Sequence, residues 1–133
     1  MIKRKKFLII FVYYYLPVFL WLGLIFYLSS IPGLKSGASL STEIFLRKLA
    51  HISEYLILVF LFWRVFVLHL KFSLSKANII TFLCCFFYAA SDEFHQFFVQ
   101  NRSGRPFDVL VDLIGIIGGI FLFSLILKIK KNK

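Results

Sequence analysis

Between Ser91 and Asp112 the chain reads SDEFHQFFVQNRSGRPFDVLVD. Four of the protein's six acidic residues fall inside this stretch: Asp92, Glu93, Asp108 and Asp112. His95, Gln96, Gln100, Asn101, Arg102 and Arg105 accompany them, and Lys48, His51 and Glu54 form an earlier polar group. Imidazole beside carboxylate is the pairing that moves protons, so His51, Glu54, Asp92, Glu93, His95 and Asp112 are the candidate catalytic residues. Lys48, Arg102 and Arg105 offer charge and donors to an anion such as phosphate, with Gln96 and Asp108 beside them as candidate ligand-binding residues. No serine or cysteine stands out as an activated nucleophile, which favours binding or direct displacement over a covalent intermediate.

Two other chemistries fit the same residues. Four-helix bundles hold metals through Glu-x-x-His pairs. Here the order is His51-x-x-Glu54 and Asp92-x-x-His95, with Asp112 as a further donor, a set that would suit Zn, Mn or Fe. Lys48 and the two arginines would compete with a cation there. Alternatively the polar groups only fasten helices to one another, through pairs such as Arg102–Asp108 and Lys48–Glu54.

The surroundings of these residues are apolar. IITFLCCFFYAA precedes the stretch and LIGIIGGIFLFSLIL follows it. Sixty per cent of the 133 residues are hydrophobic and the mean hydropathy is +0.86. A water-soluble domain of this size cannot hide that much apolar surface, so the expected solvent is lipid. Charge deep in such a setting is costly, and it usually faces the protein interior and marks function. The net charge of +10 would point to nucleic acid in a soluble protein. Here the basic residues sit mainly at the ends of apolar runs, which fits membrane orientation and excludes a nucleic-acid partner. Cys84 and Cys85 are neighbours whose side chains point about 100° apart on a helix, so they are not expected to bridge one another.

The expected fold class is all-α: one four-helix transmembrane domain over residues 1–133, with helices at about 7–28, 43–70, 77–99 and 106–127. Phe7 to Leu28 is uncharged and of spanning length, with Pro17 and Gly23 tolerated as in other membrane helices. It is longer than a signal-peptide core, and the nearest small-residue site, Gly37-Ala38-Ser39, lies well beyond it, so cleavage is not expected. The Ser29–Thr42 segment is a loop, with Ser41 or Thr42 available to cap the second helix. Pro106 suits the first turn of the fourth. Gly115 and Gly119 form a GxxxG pair, expected to serve internal packing. The basic head, the Lys71–Lys76 turn and the tail share one side and carry ten Lys and Arg, against five on the other. Positive-inside reasoning therefore puts both termini in the cytoplasm.

This topology brings distant residues to one level. With a rise of about 1.5 Å per residue, Asp92 lies roughly 9–10 Å below the outer end of its helix, Asp112 roughly 8–9 Å and Glu54 roughly 10 Å. Lys48, His51 and Tyr55 share a helix face, as do Asp92, His95 and Gln96, and Asp108, Asp112 and Gly115. Glu93 points about 100° away from Asp92. Only one of the two is therefore expected to look into the centre.

With these pieces in place, the chain resembles the VanZ-like family of small bacterial membrane proteins. The resemblance rests on Tyr27-Leu28-Ser29-Ser30-Ile31-Pro32, on Lys48-x-x-His51-x-x-Glu54-Tyr55, on Ser91-Asp92-Glu93-x-His95-Gln96, and on Arg102, Asp108 and Gly115. It covers nearly the whole chain. The chain departs from the family pattern at Asp112, where Asn is expected, and at Gln100-Asn101-Arg102, where a Pro-Gly-Arg type loop is expected. The resemblance implies a multi-pass protein of the bacterial cytoplasmic (inner) membrane, linked to teicoplanin resistance. The expected partner is a membrane lipid or lipid-linked envelope precursor at an outer-leaflet pocket. A homo-oligomer is compatible with this reading, no cofactor is named by it, and whether the site catalyses or only binds stays open.

Overall fold

A polypeptide in lipid must satisfy its backbone hydrogen bonds within each segment, and the described spans of this chain do so as helices. The computed structural model describes residues 2–32, 39–100 and 107–131. Helix α1 (Ile2–Ile10) runs through a wider π-type turn, Phe11–Tyr15, into α2 (Leu16–Ser30). Helix α3 (Leu40–Trp63) ends in a second π-type segment, Arg64–His69. Helices α4 (Leu74–Gln96) and α5 (Asp108–Lys131) complete the bundle, with no strand among the described residues. Four segments are long and apolar enough to cross a membrane: Arg4–Ser30, Ser41–His69, Leu74–Gln96 and Asp108–Lys130.

The helix ends depart from those expected, for local reasons. The first helix already includes the basic head, and α4 starts and stops about three residues early. Hydropathy marks where charge begins, whereas a helix stops where backbone bonding stops. The cap of α3 is Ser39, not Ser41 or Thr42: its extended backbone leaves its Oγ accepting from the Thr42 N–H at 3.4 Å. Just beyond the span's end at His69, Lys71 has a φ of 56° that turns the chain left-handed, and Phe72 N–H closes back on Phe66 O at 2.9 Å. Pro17 has no N–H to return to the carbonyl one turn earlier. That carbonyl, of Tyr13, instead accepts from Arg64 Nη2 at 2.9 Å, and the Arg64 guanidinium lies 4.6 Å from the Tyr13 ring centre.

The inward stripe of each span is apolar along most of its length and turns polar at one end. On α4 the stripe is Ala77, Thr81, Cys85 and Ala89, and four residues on it reaches Glu93. On α3 it runs from Val59, Leu58 and Tyr55 up to His51, and on α5 from Gly119 and Ile116 up to Asp112. On α2 it runs from Val18 and Ile25 to Ser29. Ile25, Tyr55, Leu58, Val59, Cys85, Ala89 and Ile116 form the main core beneath the polar layer. Large apolar side chains such as Phe19, Phe45, Phe87 and Phe121 are exposed on the outer faces, as lipid-facing residues should be.

Helices α3 and α5 make the most extensive contact, and glycine permits it. A Cβ built on Gly115 would overlap the Ile52 carbonyl of α3, and one on Gly119 would press on Val59 at 3.1 Å. Gly118 has nothing within 4 Å of that position. The GxxxG pair therefore packs α5 on α3 within the chain. Cys84 and Cys85 are free thiols.

Candidate functional site

The polar layer lies at the bundle end opposite the termini, where α2 and α4 finish and α3 and α5 begin. Its residues form two groups, one on either side of α4.

The first group joins α2 to α4. Ser29 Oγ donates to Asp92 Oδ2 at 2.7 Å, and Gln96 Nε2 donates to the same oxygen at 2.9 Å. Gln96 Nε2 also lies 3.4 Å from Ser29 Oγ. The next serine, Ser30, places its Oγ 3.0 Å from His95 Nε2 while donating to Phe26 O at 2.7 Å. The His95 ring stacks on Phe26, with centroids 4.4 Å apart. Asp92, Gln96 and Ser29 are buried, and His95 is half-buried.

The second group joins α3, α4 and α5. His51 Nδ1 is 2.9 Å from Asp112 Oδ1, and Asp112 has no exposed surface. Gly115 lies one turn further along α5 on the same face as Asp112, so the close glycine contact with α3 is what sets the carboxylate against the imidazole. Glu93 enters from α4. One donor atom from each of His51, Glu93 and Asp112 lies within 4.8 Å of the others. Among the described residues, both Glu93 carboxylate oxygens, Asp112 Oδ2, Asp92 Oδ1 and the Tyr55 hydroxyl are buried without a hydrogen-bond partner. Such atoms are costly in an apolar interior and usually have a ligand, ion or proton to answer for them.

The described residues singled out from the sequence each have a place. His51, Glu93 and Asp112 meet in one group, and Asp92, His95 and Gln96 fall in the other. Asp92 and Glu93 are both buried, where only one was expected to look inward. Two neighbours on a helix can both do so when the helix has partners on both sides, and α4 packs against α2 as well as against α3 and α5. Glu54 is half-buried beside α2, its backbone carbonyl accepting from Trp21 Nε1 at 2.9 Å. Lys48, one turn before His51, is exposed. Asp108 is half-buried at the first position of α5. Arg102 and Arg105, with Pro106, lie outside the described residues.

Ser29 and Ser30 are the site residues that reading the sequence left without a role. Their signal was a pair of hydroxyls closing an apolar run, yet only the fold puts them across from Asp92 and His95.

The chain matches the family model described as VanZ/LLP1 over residues 7–127. It belongs to that family. No curated protein and no solved structure matches the chain. The VanZ/LLP1 match covers the second and third spans and most of the first and fourth, so both polar groups lie inside the shared domain.

In chemical terms the second group of this VanZ/LLP1 protein has the parts of a proton-transfer site. With Nδ1–H donated to Asp112, His51 presents its Nε2 lone pair as a base, and the carboxylate fixes the ring and favours the imidazolium that forms. In the first group Asp92 Oδ2 accepts from both Ser29 and Gln96, which suits holding helices in place.

Proposed function

We propose that this VanZ/LLP1 protein binds or processes an anionic lipid, or a lipid-linked envelope precursor, in a polar pocket of the outer leaflet. The observation that carries this reading is the buried His51–Asp112 pair at 2.9 Å, with Glu93 beside it unpartnered among the described residues, inside a bundle of helices long and apolar enough to cross a membrane. A ligand carried by the membrane reaches such a depth without leaving lipid. His51 would take a proton from an attacking hydroxyl and return it to a leaving group, with Asp112 orienting the ring. Lys48, exposed one turn outward from His51, would meet an anionic head group, together with Arg102 and Arg105. At the level of the organism, the family resemblance leads us to infer altered glycopeptide (teicoplanin) susceptibility.

Lipid mass spectrometry of the purified protein tests this reading. The wild type is expected to retain an anionic lipid that an Arg102→Ala, Arg105→Ala variant loses. Equal retention by both would remove the anion cradle. His51→Gln is expected to keep the lipid and lose any turnover.

The Ser29–Asp92–Gln96 group favours a second role for part of the layer, the fastening of α2 to α4. Under that reading Asp92→Asn lowers thermal stability before it affects lipid retention. The reverse order would assign Asp92 to the ligand.

A further inference from the structure

The charge balance of the second group is unusual. Among the described residues, two buried carboxylates, Glu93 and Asp112, face a single imidazole, and Asp112 already engages it. Glu93 is 6% exposed, and neither of its oxygens has a hydrogen-bond partner among the described residues. The second oxygen of Asp112 is equally without one. The exposed Lys48 does not fill the gap, and Arg64 is at the other end of the bundle against Tyr13. Carboxylates are kept in such a place when a positive charge compensates them.

We propose that His51, Glu93 and Asp112 form a site for a divalent transition-metal cation of the Zn²⁺ or Mn²⁺ class. The donor atoms come from α3, α4 and α5 and already lie within 4.8 Å of one another. A tetrahedral ion with ligands at about 2.1 Å sets its donors roughly 3.4 Å apart, a distance the side chains reach by rotation. Three protein donors leave coordination positions open, as in catalytic rather than structural sites. The imidazole selects against Ca²⁺ and Mg²⁺, which prefer sets made of oxygen alone. This donor set differs from the one the sequence spacing offered, His51, Glu54, Asp92 and His95 with Asp112 as a further donor: it keeps His51 and Asp112 and brings in Glu93. Asp92 is held through its Oδ2 by Ser29 and Gln96 in the other group, and His95 sits with Ser30. The part such an ion would play toward a phosphate-bearing lipid rests on the function proposed above. Its binding does not.

The test uses the full chain in detergent micelles, titrated with Mn²⁺ alone and followed by electron paramagnetic resonance, with Zn²⁺ content by elemental analysis. One equivalent per chain is expected, with a rise in melting temperature on adding metal. Losing an outer-sphere partner of a metal costs roughly 10- to 100-fold in affinity, so Glu93→Gln and Asp112→Asn, which remove direct donors, are expected to cost at least that. Glu43→Gln, at the start of α3, keeps the wild-type affinity. Absence of binding by the wild type, or equal affinity in Glu93→Gln and Asp112→Asn, overturns the proposal. Should a variant not fold, the metal-induced stabilisation of the wild type decides alone, and its absence overturns the site. Lipid retention is measured without added metal, so a failed metal titration leaves the lipid reading standing, and the reverse.

Discussion

Asp92 and Glu93 are adjacent in sequence and do different work. Asp92 is tied to Ser29 and Gln96, while Glu93 has buried oxygens and no hydrogen-bond partner among the described residues. The hydroxyl of Ser29 is therefore worth more than that of an ordinary helix serine. Ser29→Ala takes away one donor from a buried carboxylate and should cost about 1–3 kcal/mol. Ser53, exposed and bonded back to Leu49 O at 2.8 Å, is the comparison. Ser53→Ala should stay within about 0.5 kcal/mol of wild type. Unfolding in mixed micelles measures both, and equal effects would remove the special status of Ser29. From the sequence, the identity of every acid and imidazole in this layer was plain. Their partners were not, because a hydrogen bond across residues 29 and 92 depends on how far one helix has turned against another.

At the scale of the element, each span is an apolar stripe with a polar end, and the α3–α5 contact sets the register of the whole layer. Gly115→Ala places a methyl against the Ile52 carbonyl, a backbone atom that cannot rotate aside. It should cost about 1–3 kcal/mol or more and loosen the His51–Asp112 pair. Gly118→Ala meets open space and should be neutral or stabilising by up to about 1 kcal/mol, through helix propensity. Thermal melts of the two variants check this, and equal losses would argue against close glycine packing on α3. The GxxxG spacing was visible in the chain. That its partner is α3, and that Gly118 takes no part, follows from the rotation of α5, which the spacing of glycines leaves undetermined.

For the molecule as a whole, four spans and an uneven distribution of Lys and Arg make an orientation testable. With the head, the Lys71–Lys76 turn and the tail on the more basic side, a fluorescent reporter fused to either terminus is expected to mature in the cytoplasm. An Asn101→Cys variant is expected to react with an impermeant thiol reagent added from outside. Labelling only after the membrane is broken would invert the topology and move the polar layer to the inner leaflet. The buried residues below that layer are mostly apolar or small, so the polar layer is confined to one end of the bundle.

The all-helical class, the membrane environment, the number of spans and the polar character of one bundle end were settled by the sequence itself, because each depends on composition along a single segment. The fold alone decided that both Asp92 and Glu93 turn inward, that Ser29 and Ser30 join the layer, and that His51 meets Asp112 and Glu93. Those outcomes depend on the relative rotation and height of separate helices. Rotation and height are fixed by contacts such as Gly115 on Ile52, which form only when the spans come together.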